Sequence, residues 1–103
     1  MTTDKPIQKA DALPQFQPAV VPVFDCHVIL STSSQPPAVR GRVANLPAIT
    51  AEGAVERDVL MKLVSQFKAC LVDHRARQVE VPWQDPADEP GPGEVERWIP
   101  VHL

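Results

Sequence analysis

Cys26, His27, Cys70 and His74 are the residues whose types suit a metal centre. Cys70 and His74 stand one helical turn apart and can face one ion together, whereas Cys26 and His27 are neighbours on what reads as a strand and point to opposite faces. At most three of the four converge, so no metal site is expected. The plainer reading puts Cys70 on an apolar stripe and His74 near a helix C-terminus, where the dipole favours a cation. Ser31, His27 and Asp25 compose a nucleophile, a base and an orienting acid on paper, yet all three share one strand and cannot meet around a reacting atom. The acids Asp25, Asp58 and Asp73 are scattered and read as solvated charges, not as a catalytic pair. The four glycines, Gly41, Gly53, Gly91 and Gly93, match neither phosphate-binding fingerprint. The expectation is a chain that is not an enzyme and carries no cofactor.

What remains is a polar surface. In "AVRGRVANL" Arg40 and Arg42 point the same way, and Asp25 and His27 of the neighbouring strand share that face. Solvent contact or cross-strand pairing is the bland account. The sharper one is an interface with a protein or RNA-like partner. An alternative is a small ligand-binding protein or enzyme using Asp25, His27 and Arg40, which a concave pocket gathering the three would favour. Trp83 and Trp98 each lie near a proline beside a loop, where an indole anchors the loop to the core or serves as a binding hot spot. The acidic "DPADEPGPGE" reads as a solvated loop, since its acids lack the spacing of a calcium loop.

These side chains need elements to position them. Residues 1–20 mix Pro, Gln, Asp, Lys and Ala without a period and read as a mobile tail preceding one domain over 21–103. In "VVPVFDCHVILST", Phe24, Cys26, Val28 and Leu30 share one strand face, while Asp25, His27, Ile29 and Ser31 share the other. "SSQPP" is a turn by composition and starts a hairpin. Val39, Gly41 and Val43 line the core side of a second strand. "AIT" reads as a brief third strand after a Leu46-Pro47 corner. The helix is predicted over 54–75, because Val55, Val59, Leu60, Leu63, Val64, Phe67, Cys70 and Leu71 follow the 3.6-residue period. Arg57, Lys62, Gln66 and Lys68 occupy its solvated side. "QVEVPW" looks extended, and "RWIPVHL" alternates as a closing strand that Pro100 confines to an edge. The fold class is α+β: a mainly antiparallel sheet of three to four strands with one helix packed on one face and the other face uncovered, in the order β-β-β-α-β.

Composition narrows the partners. The chain has 103 residues, 44% of them hydrophobic and 22% charged, which fits one globular domain. A formal net charge of -3 provides no field to draw it onto nucleic acid or an anionic membrane. No segment has the length and apolarity of a membrane span or a signal peptide, so a cytoplasmic setting is expected. Two cysteines without close spacing read as free thiols. A domain this small with an open sheet face is expected to form a homodimer, by strand pairing or through that face.

The stretch "NLPAITAEGAVERDVLMKLVSQFKACL" and the order of elements resemble the HicB-like antitoxin family over residues 24–103. That family typically shows Asp-Leu-Pro-Gly, then a Thr and a Gly-Asp-Thr, then an amphipathic helix. Leu46, Pro47, Thr50, Glu52 and Gly53 keep the frame here, while Asn45, Ala48 and Ala54-Val55 depart from it. "VEVPW" and "RWIPVHL" are similar to the family's proline-containing segment and closing strand. The resemblance implies a truncated ribonuclease-H-like fold lacking that enzyme's metal-binding carboxylates. It also implies binding of a small mRNA-cleaving toxin. Many members carry a DNA-binding domain at the carboxy terminus, and this chain ends at Leu103 without one, so a solitary or divergent member that does not bind an operator is expected. The residues expected to contact a partner are Arg40, Arg42, Asn45, Pro47 and Thr50.

Overall fold

The computed structural model describes residues 22–103, and the tail assigned to residues 1–20 lies outside the described residues. Strand β1 (Val23–Thr32) turns at residues 33–38 into β2 (Val39–Val43), where the Ser33 amide donates to the Ala38 carbonyl at 2.8 Å. Strand β3 (Leu46–Gly53) leads into helix α1 (Glu56–Ala76), and β4 (Val95–His102) closes the sheet. All pairings are antiparallel, in the order β3-β2-β1-β4. The α+β class and the order β-β-β-α-β are therefore as expected, with four strands.

The passage from β2 to β3 differs from a proline corner followed by a brief strand. Ala44 and Asn45 form a two-residue turn, and β3 runs for eight residues. Neither turn residue has a positive φ. The mirror-image turns that match strand twist are therefore not used, and a conventional turn splays the strands. The register absorbs the mismatch: Arg42 pairs with Thr50 but Val43 with Leu46, so residues 47–49 bulge out.

Helix α1 lies against the sheet face carrying Cys26, Val28 and Leu30 of β1. Val59, Leu63, Phe67 and Leu71 are buried there, each stabilising the fold by about 1.5–3 kcal/mol. Leu60, Val64 and Cys70 are half-buried, and Val55, expected on the stripe, is exposed at the N-cap position, where its side chain makes no capping hydrogen bond. Gly41 makes the close approach possible: a β-carbon there would lie 2.8 Å from both Leu30 Cδ2 and Leu63 Cδ1. The helix ends in a Schellman arrangement, with the Gln78 and Val79 amides donating to the Arg75 and His74 carbonyls. Gln78 has φ 57, a conformation that costs a side-chain-bearing residue about 1–2 kcal/mol. Gln78→Gly is expected to raise stability by about 0.5–1 kcal/mol, read from the denaturant midpoint at unchanged slope.

Both sheet edges are partly blocked. Lys62 and Gln66, expected in solvent, donate to the Glu52 and Thr50 carbonyls of edge strand β3 at 2.9 and 3.0 Å. On β4, Pro100 has no amide hydrogen to offer, and Arg97 donates to the Glu96 carbonyl. Free carbonyls and amides are what template strand addition, so these contacts oppose edge-to-edge pairing.

Residues 77–94 correct one further expectation, that the sheet face opposite the helix is uncovered. "QVEVPW" pairs with no strand, and Trp83 lies near Phe24 and Phe67, with centroids 6.4 and 6.0 Å apart, as an anchor to the core. The segment then rounds the Ala44–Asn45 turn, Gln84 and Asp88 amides donating to the Asn45 and Ala44 carbonyls. From there it returns across the sheet face opposite the helix, which is thus partly covered.

Candidate functional site

Side chains alternate across a strand, so with Gly41 facing the helix Arg40 and Arg42 face away from it. Register carries Asp25, His27, Ile29 and Ser31 of β1, Thr50 and Glu52 of β3, and Glu96 and Trp98 of β4 onto the same open face. The sequence grouping of Arg40, Arg42, Asp25 and His27 on one face is therefore correct, and their individual situations differ.

Arg42 is a latch. Its Nε donates to Asp88 at 3.1 Å, while its two terminal nitrogens reach the Glu94 carboxylate at 3.0 and 3.3 Å. The acidic segment expected to be solvated thus holds the return connection on the sheet. Gln84 also donates to Asp88 at 2.6 Å. The hydrogen bonds from Arg42, followed by that from the Gly91 amide, hold the Glu94 carboxyl below its ordinary value, and Glu94 in turn raises Arg42. A carboxylate with a depressed folded pKa adds stability that is present above its unfolded pKa and lost as pH falls through the folded one. Arg42→Ala is expected to cost about 1–2 kcal/mol near neutral pH, after discounting charged hydrogen bonds for partial exposure. Chemical denaturation across the acid range should also show a shallower loss of stability in the variant than in the parent.

A second fixed group lies on β1 and β4. His27 Nε2 is 2.6 Å from Glu96 Oε2, and Trp98, opposite His27 in register, stacks on the imidazole with centroids 4.5 Å apart and planes 14° from parallel. Ile29, flanked in register by Arg42 and Glu96, is fully buried although it belongs to the open face. Trp98 remains 58% exposed. An indole held on one side by a pinned ring and open on the other is preorganised for contact.

Farther along the same face, toward β2 and β3, Ser31, Arg40, Thr50 and Glu52 rim a shallow depression of about 460 Å³ with Ile29 at its floor. Arg40 pairs with Glu52 at 3.4 Å, both side chains well exposed, an interaction of small energetic weight. Of the five residues expected to contact a partner, Arg40, Arg42 and Thr50 line this depression. Pro47 lines a separate apolar hollow with Leu46, Ile49, Cys70 and Pro82. Asn45 is in the turn, its Oδ1 buried without a hydrogen-bond partner among the described residues. Asp25 is six residues along β1 from Ser31, the partner of Arg40, or about 20 Å. The structure does not gather Asp25, His27 and Arg40, which removes the geometry that an enzyme or ligand site built on those three requires.

The prospective metal ligands are also separated by their local roles. His74 Nδ1 lies 2.8 Å from the Cys70 carbonyl and so carries the proton of that hydrogen bond. Cys26 is buried in the core, and burial pushes its thiol up to about 11, which keeps it protonated and inert. Among the described residues no three His, Cys, Asp or Glu side chains are grouped as a metal site requires. Trp98 was not singled out over Trp83 in the sequence, because its stack depends on pairing with His27. Its alternation in "RWIPVHL" was the available signal.

Fold and surface together define a small α+β protein with one latched, partly open sheet face. Comparison of the chain with protein-family models, curated proteins and solved structures returned no match. Among the described residues no helix is long and apolar enough to cross a membrane.

Proposed function

We propose that this chain is a non-enzymatic protein-interaction module, antitoxin-like and cytoplasmic, which binds a small toxin-like protein through the open sheet face. The observation that carries the reading is the exposed Trp98, stacked on a His27 that Glu96 holds in place. Tryptophan and arginine dominate binding energy at protein interfaces, and here Trp98 on β4 and Arg40 on β2 share one face, with Ser31 of β1 opposite Arg40 and Thr50 on β3 beyond it. A rigid surface loses little freedom on association. The resemblance of "NLPAITAEG" and its following helix to the HicB-like family supports a small mRNA-cleaving protein as the partner.

The test is coexpression with the product of a short reading frame adjacent to this gene. The expected result is growth arrest by that product alone, relief by this chain, and loss of relief with Trp98→Ala or Arg40→Ala. Absence of relief together with absence of a complex at micromolar concentration would overturn the reading.

A further inference from the structure

The outward face of α1 is unlike that of an ordinary surface helix. Met61, Ser65, Ala69, Val72 and Ala76 recur at spacings of four, four, three and four, so from Met61 to the helix end an exposed uncharged stripe runs opposite the buried one, with Asp58 on the same face in the first turn. Met61 is 62% exposed and Val72 47%. Its i, i+4 rows of small and apolar side chains form ridges and grooves against which another helix can pack. Beside it, Leu60, Met61, Val64, Ser65 and Ile99 line an apolar groove of about 420 Å³ between the helix and β4.

We propose that this helix face docks a second copy of the chain, the two helices antiparallel about a two-fold axis that crosses the outward stripe between Ser65 and Ala69. Charge decides the orientation. Glu56 and Asp58 outweigh Arg57 in the first turn, and Arg75 with Arg77 at the C-cap outweighs Asp73 at the end, so the two ends carry opposite net charge. An antiparallel pair brings each acidic end to the partner's basic end and opposes the two helix dipoles, whereas a parallel pair juxtaposes like charges. Two-fold symmetry about that centre sets Met61 against the same stripe's Val72 on the other copy and Ser65 against Ala69, whose small side chains permit close approach. The sheet edges, partly blocked by Lys62, Gln66, Arg97 and Pro100, do not compete for this role. The interface leaves Trp98 and Arg40 free, so it does not depend on the proposed partner binding.

Sedimentation equilibrium of the full chain tests the proposal. The parent is expected to be dimeric at micromolar concentration. Met61→Glu and Val72→Lys, both at exposed positions and checked for unchanged circular dichroism, should each weaken dimerisation at least tenfold. The double variant, with opposite charges facing across the axis, should recover dimerisation to near the parent's strength. A monomeric parent, a dimer indifferent to Met61→Glu, or a double variant no better than either single one would overturn the antiparallel helix interface.

Discussion

Trp98→Ala is expected to weaken partner binding at least 30-fold while leaving the folded chain nearly as stable as the parent. A truncated interface hot spot costs about 2 kcal/mol or more, and each 1.4 kcal/mol is tenfold in affinity. The fold loses much less, because the indole is largely solvent-exposed and its stack on His27 contributes about 0.5–1.5 kcal/mol. Calorimetric titration and thermal denaturation of the same preparation separate the two effects. Loss of affinity accompanied by an equal loss of stability would make Trp98 a structural residue. Unchanged affinity would remove it from the interface.

Gly41→Val should show the largest effect on folding. The first added carbon already meets Leu30 and Leu63 at 2.8 Å and Val59 Cγ1 at 3.1 Å. Those contacts are ends of side chains, but their residues are fully buried between sheet and helix and have nowhere to withdraw. Gly41→Ala is expected to cost about 1–3 kcal/mol. The valine adds two more carbons to the same gap and should consume much of a total stability of about 5–15 kcal/mol. Gly91→Ala is the control, since its nearest contact is an ordinary 3.5 Å to Glu94 Oε1. Equilibrium denaturation should order the three as Gly91→Ala near the parent, Gly41→Ala lower, and Gly41→Val lowest or unfolded.

The contrast between Gly41 and Arg42 shows what a sequence makes legible. Strand alternation put Gly41 on the core side and Arg42 on the opposite side, because period and burial are local properties of the chain. The helix stripe through Val59, Leu63, Phe67 and Leu71 was legible for the same reason. Arg42's partners were not: Asp88 and Glu94 lie in a stretch without periodicity, and their approach depends on how residues 77–94 round the Ala44–Asn45 turn. The acid-rich composition of that stretch was the one hint that an arginine on the open face could hold it. The turn at Ala44–Asn45 escaped notice because it uses no glycine and transfers its misfit to a bulge at 47–49. Pro47 and Thr50, three positions apart in the quoted motif, end on different surfaces for that reason. For Trp98 the alternation in "RWIPVHL" set it against Ile99, Val101 and Leu103, whereas Trp83, anchored near Phe24 and Phe67, lies in a segment with no strand period to place it.

Amide chemical-shift mapping of the isotope-labelled chain, titrated with a small mRNA-cleaving protein of the class proposed as its partner, addresses the interaction face most directly. The expected changes centre on Ser31, Arg40, Thr50 and Trp98 and disappear with Trp98→Ala. Changes confined to the outer face of α1, or no change at saturating concentration, would contradict the assignment of the open sheet face as the partner-binding surface.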